Sequence, residues 1–193
     1  QHREFVIEEN HFHSPTFIRK AFSRERLGGV CLLNFCAGGE TLMCRELLPV
    51  LEELYREGHY LQIVTNGTVT SAIDALIERL GSLERLFFKF SFHYMELKKR
   101  NMLEIYYKNI QKVKKAGASF TVELVPNDNL IPYIDEIKSS AIENIGALPH
   151  LTVPRDDTVK EMKVLTQLSM EKYRAVWGEF DSKMFDFKMD TLN

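Results

Sequence analysis

A glycine pair followed at once by a carboxylate, Gly38-Gly39-Glu40, closes an apolar run, Val30-Cys31-Leu32-Leu33-Asn34-Phe35-Cys36. Neither glycine carries a Cβ, so a ligand can approach main-chain polar groups there. Glu40 adds a charged acceptor at the same spot, and charge-assisted hydrogen bonds are about twice as strong as neutral ones. The competing reading is a helix-entry turn in which Glu40 complements the helix dipole. Two similar turns follow. Thr65-Asn66-Gly67 ends Tyr60-Leu61-Gln62-Ile63-Val64, and Ser91-Phe92-His93 ends Leu86-Phe87-Phe88-Lys89-Phe90. Thr65 and Asn66 offer polar groups to a ligand, or turn chemistry alone, and Gly67 permits a left-handed residue. Ser91 places a hydroxyl at the third strand end. His93 reads either as a substrate-side acid/base or as a polar rim residue.

Further along, Glu123 lies in the middle of Ser119-Phe120-Thr121-Val122-Glu123-Leu124-Val125. Alternation leaves its direction open. Facing inward, it is a carboxylate in need of a partner, and such groups are often functional. Asn127 stands at the exit of that segment. Arg155, after His150-Leu151-Thr152-Val153, suits a bidentate carboxylate contact or a surface ion pair with Asp156 or Asp157. His2, His11 and His13 fix no metal geometry and read as part of a polar loop. Cys31 and Cys36 sit five positions apart on one strand, a separation of roughly 16 Å with opposite faces. With Cys44 in the first turn of the next helix, all three cysteines read as small buried apolar residues.

The elements that must carry these residues alternate between strand and helix. Ser14 and Pro15 predict a helix start, with Phe17, Ile18, Ala21 and Phe22 on one face and Gly28-Gly29 as its end. Helical periodicity covers 45–57, where Leu47, Leu48, Leu51, Leu54 and Tyr55 share a face, and resumes at Ala72, Ile73, Leu76, Ile77 and Leu80. One long helix is predicted over 97–116, with a lysine-rich outer face, and another carries Ile131, Ile134, Ile137, Ala141 and Ile145. This rhythm implies a parallel sheet with crossover helices. Carboxyl ends of such strands are where α/β proteins keep their small-molecule sites. After Asp157 the stretch 158–177 has mixed helical character, and 180–188 alternates charges and aromatics. The lone Trp177 is expected to pack this tail.

Gly38-Gly39-Glu40, Thr65-Asn66-Gly67 and Ser91, at the ends of successive strands, resemble the radical S-adenosylmethionine enzymes over 30–156, with a weaker extension to 188. The resemblance implies an α/β fold: a partial (β/α)6 half-open barrel of parallel strands, the first strand and cluster loop missing. It implies S-adenosylmethionine bound by Ala37, Gly38, Gly39, Glu40, Thr65, Asn66, Ser91, Glu123, Asn127 and Arg155. It also implies a [4Fe-4S] cluster, whose Cys-x3-Cys-x2-Cys motif is absent here, and an electron donor such as a flavodoxin or ferredoxin. The full-length enzyme would generate a 5′-deoxyadenosyl radical that abstracts hydrogen from a substrate, by analogy a peptide. The chain then reads as a fragment inactive alone, with a barrel part at 1–157 and a helical extension or linker at 158–193, where 180–188 resembles the linker that precedes an auxiliary-cluster region in peptide-modifying members. The sequence departs from the family pattern at Thr41, where proline is common, and at Phe92-His93-Tyr94, where an Asp and a Gly often follow the serine. The other readings are a cluster-free barrel serving as a binding or scaffold domain, and an ordinary nucleotide-binding α/β domain.

Composition sets the remaining bounds. The 193 residues, 45% of them hydrophobic, suffice for one core, and a net charge of −2 makes no electrostatic case for nucleic acid. No apolar run is long enough to span a bilayer. Three cysteines without tight spacing point to a reducing, cytoplasmic setting rather than a disulfide scaffold.

Overall fold

The computed structural model describes residues 13–156 and 163–191. His2 and His11, and the start of the mixed helical stretch at 158, lie outside the described residues. The fold is α/β. Five parallel strands form one sheet in consecutive order: β1 Leu32–Phe35, β2 Tyr60–Thr65, β3 Leu86–Ser91, β4 Ser119–Leu124 and β5 His150–Leu151. Between them run α3 (Leu47–Arg56), α4 (Thr70–Leu80), α5 (Tyr94–Lys99), α6 (Leu103–Lys115) and α7 (Ile134–Ile145). Helices α1 (Pro15–Ala21) and α2 (Arg24–Leu27) precede β1.

Consecutive order with right-handed crossovers sends every helix to the same face of a sheet. Burial agrees. Leu61, Ile63, Leu86, Phe88 and Phe90 are fully buried, while the alternating Gln62, Val64, Phe87, Lys89 and Ser91 stay half-exposed. The helices also pack as one layer, α3 on α4, α4 on α6 and α6 on α7. The second face of the sheet is therefore polar and open, carrying the Asn34–Gln62 bond and the Lys89–Glu123 ion pair.

Several elements differ from the sequence reading, each for a local reason. The first helix is two, because Ser23 accepts a bond from Arg26 N–H and starts a new turn that left-handed Gly28 ends. Residues 41–43 form a short 3-10 turn, so α3 begins at Leu47. The long helix expected over 97–116 is broken. Asn101 adopts φ 56°, and Met102 N–H returns to Leu97 C=O at 2.8 Å. Asparagine tolerates that conformation at helix ends. The six-residue step from Leu97 to Leu103 was also out of helical phase.

Arg155–Asp156 (β6) pairs antiparallel with Lys163–Val164 (β7). The linker-like stretch folds as α9 (Lys183–Asp190), after α8 (Met170–Gly178). Ser182 joins this end to the sheet. Its hydroxyl accepts the Leu151 N–H at 2.9 Å while capping α9. Tyr173, Trp177, Phe180, Phe185 and Met189 join the same hydrophobic cluster as the sheet, so Trp177 does pack the tail. No described helix is long and apolar enough to cross a membrane.

His59 is fully buried and clamps the start of the chain to the sheet. Its Nδ1 accepts the Cys31 N–H at 3.1 Å, and its Nε2–H donates to the Phe22 carbonyl at 2.7 Å. This arrangement needs the neutral ring. His59→Ala removes both bonds and leaves a void. It should lower unfolding stability by about 2–4 kcal/mol, read as a fall in urea midpoint at unchanged slope. A midpoint equal to that of the parent would contradict the clamp.

Candidate functional site

The loops after β1, β2 and β3 meet at the carboxyl edge of the sheet, and one carboxylate holds the first two together. Glu40 Oε1 accepts the Thr65 hydroxyl at 2.6 Å and the Leu42 N–H at 3.0 Å. Its Oε2 accepts the Asn66 N–H at 2.6 Å. Thr41, buried beside it, accepts the Ala37 N–H at 3.2 Å and so folds the glycine turn back on itself. Thr65 in turn accepts the Gly67 N–H at 3.0 Å. Gly67 has φ +72°, and a Cβ there would lie 2.8 Å from the Tyr106 ring and 2.9 Å from Phe90. Only glycine fits this bend. The buried Asn109 side chain donates to the Gly67 carbonyl at 2.9 Å and locks the loop from the helix side.

Around this clasp lies a cleft of about 350 Å³, lined by Ala37, Gly39, Glu40, Thr65, Asn66 and Ser91 together with Cys36, Thr41, Val64 and His93. Glu40 is the only carboxylate among its lining residues, and no lysine or arginine lines it. A carboxylate has about four lone-pair positions. Three are used within the protein, which leaves one on Oε2. Asn66 Oδ1 is occupied by Thr68, at 3.0 Å from its N–H and 2.6 Å from its hydroxyl. The Asn66 Nδ2 group is thus the part left for a ligand. The Ser91 hydroxyl makes no bond to a described residue.

A second cavity of about 550 Å³ adjoins the first and shares the Ser91 and His93 walls. Glu123, Asn127, Asn129 and Thr152 face it, along with Tyr94, Leu130 and Val125. Glu123 points to the open face of the sheet, beside Ser91 in register, and pairs with Lys89 at 2.8 Å. Its side chain is 12% exposed, so the lysine supplies the partner that burial demands. Glu96, at the rim, is held below the usual carboxylate range by its bond to Arg100.

Of the ten residues singled out in sequence, six line the first cleft, and Glu123 and Asn127 line the second with Ser91 shared. Gly38 is exposed beside the first cleft and is not part of its wall. Arg155 lies exposed in β6 and lines neither cavity. Thr65 takes the turn-chemistry role among its two readings, since its hydroxyl donates to Glu40 and accepts the Gly67 N–H. Sequence reasoning missed the bracing by Thr41. A threonine four residues after a backbone N–H in a turn is the signal that pointed to it. Cys31, Cys36 and Cys44 are free thiols. The described residues hold no group of three or more His, Cys, Asp or Glu side chains placed for a metal ion. No family model and no curated protein matches the sequence.

The clasp has a measurable consequence. Glu40→Gln keeps the shape but turns one acceptor into a donor facing an N–H or hydroxyl. It should cost about 1–3 kcal/mol of unfolding free energy. Hydrogen exchange at the Asn66 and Leu42 amides should rise while the amides of β4 keep their protection. Unchanged exchange at Asn66 would show that the carboxylate does not hold the loops.

Proposed function

We propose that this chain is the S-adenosylmethionine-binding part of a radical S-adenosylmethionine barrel. The observation that carries the reading is the convergence of Ala37, Glu40, Asn66 and Ser91 on one cleft, although they belong to three separate strand ends. The remaining lone pair of Glu40 suits the methionyl ammonium, the bare main chain at 37–39 gives it room, and Ser91 has a hydroxyl to offer the ribose or carboxylate. A volume of about 350 Å³ is at the small end for a ligand site. The shared walls let a longer molecule continue into the second cavity.

Consecutive parallel order, one layer of helices and a polar open face support a half-open (β/α)6 barrel. They speak against a doubly wound nucleotide domain, whose strand order reverses at the binding crevice. When bound, the cofactor would supply a sulfonium whose cleavage, in this family, yields a radical for hydrogen abstraction from a substrate. The chain's own residues bind and orient it. The residues described do not fit an iron–sulfur cluster. Glu40 also favours a second reading, because three of its acceptor positions already serve the fold. On that reading the turn is purely structural and the domain binds or scaffolds without this cofactor.

Calorimetric titration separates the two. S-adenosylmethionine should bind more tightly than ATP, and Ser91→Ala or Asn66→Ala should weaken it by about tenfold. Equal affinity for ATP, or no effect of both substitutions, would favour the scaffold reading.

A further inference from the structure

The second cavity has an unusual cation behind its wall. Lys188, on α9, donates to the Thr152 hydroxyl at 2.6 Å. It forms no ion pair with a described carboxylate, whereas Lys89 beside it is spent on Glu123 at 2.8 Å. An ammonium that gives up part of its hydration without a counter-ion is costly. Burial holds Lys188 below the usual lysine range. Glu123 opposes that shift, while like-charge repulsion from Lys89 and Arg155 adds to it. Thr152 lines the cavity. Because its oxygen accepts from Lys188, its own proton is free to point into the cavity. The Ser91 hydroxyl, which also lines the cavity, is a second donor.

We propose that the second cavity binds a carboxylate, received by the Thr152 and Ser91 hydroxyls and neutralised by Lys188. Glu96 and Glu123, the acidic groups at the cavity, are already paired with Arg100 and Lys89. They therefore oppose an anion less than their number implies. Lysine acts as a flexible point charge, so Lys188 can follow the bound group. A single ammonium with two hydroxyl donors matches a monoanionic carboxylate rather than a phosphate. The source is either a second ligand or the amino-acid part of the cofactor. That last alternative alone rests on the cofactor reading.

Butyrate and butyramide, which share shape and differ in charge, test the chemistry by NMR on the full 193-residue chain. Butyrate should shift the Lys188 side-chain and Thr152 resonances saturably, at concentrations that leave exposed Lys20 unmoved, and butyramide should not. Lys188→Met should weaken the response at least about tenfold, and Lys188→Arg should retain most of it. Thr152→Val, which leaves α9 intact, gives an independent loss. Equal shifts from butyramide, or full butyrate binding in Lys188→Met and Thr152→Val alike, would overturn the proposal. Competition then assigns the source. Blocking of butyrate by S-adenosylmethionine but not by 5′-methylthioadenosine makes the carboxylate the cofactor's own, and butyrate binding that survives makes it a second ligand's. If S-adenosylmethionine leaves the Asn66 amide unmoved, the cofactor reading falls while a butyrate response still supports this one.

Discussion

The Glu40 carboxylate is the constraint on which the candidate site depends. Parallel strands end independently, and nothing in the ladder between β1 and β2 fixes how the loops beyond them lie. One side chain that accepts from Thr65, Leu42 and Asn66 ties the glycine turn to the neighbouring loop. Hydrogen bonds to a charged acceptor are the strong ones. The rest of the rim is built outward from it. Thr41 pins Ala37, Thr65 pins Gly67, and Asn109 fastens Gly67 to the helix layer. The residue best suited to grip a ligand's ammonium is therefore also the one that shapes the site, with a single acceptor position left over.

The layering of the fold explains why polar residues gather where they do. Helices on one face bury Leu61, Ile63, Phe88 and Phe90 completely. The alternating positions are released from apolar selection and carry Gln62, Lys89, Ser91 and Glu123. A charged pair such as Lys89–Glu123 would be expensive in a two-sided sheet. On the open face it keeps Glu123 paired where it lines the second cavity. The C-terminal helices complete the arrangement, since Ser182 ties them to β5 and Lys188 reaches Thr152 of the same cavity.

Much of this was legible in the sequence because it rests on local chemistry. Strand ends marked by Gly38-Gly39-Glu40, Thr65-Asn66-Gly67 and Ser91 fall at one rim, and alternation marked the strands to within a residue or two at most ends. What stayed hidden is long-range or subtle. The Glu40 side chain joins residues 25 and 26 positions away, and no pattern reveals such a partner. Glu123 faces the same way as its partner Lys89 in the neighbouring strand, a direction that alternation within its own strand leaves open. The break at Asn101 was masked by apolar residues on both sides. The stretch 180–188 shows no helical pattern in sequence because its buried residues, Phe180, Ser182 and Phe185, meet partners in α8 and β5 rather than periodic neighbours in sequence.

The most direct test of the account is a crystal structure of the chain with S-adenosylhomocysteine, which keeps the amino-acid and nucleoside parts of the cofactor. The ligand's ammonium is expected on Glu40 Oε2, with the Ser91 hydroxyl within hydrogen-bonding distance of its ribose or carboxylate. Density for the ligand away from the rim of β1, β2 and β3, or a rim that stays empty at saturating ligand, would contradict it.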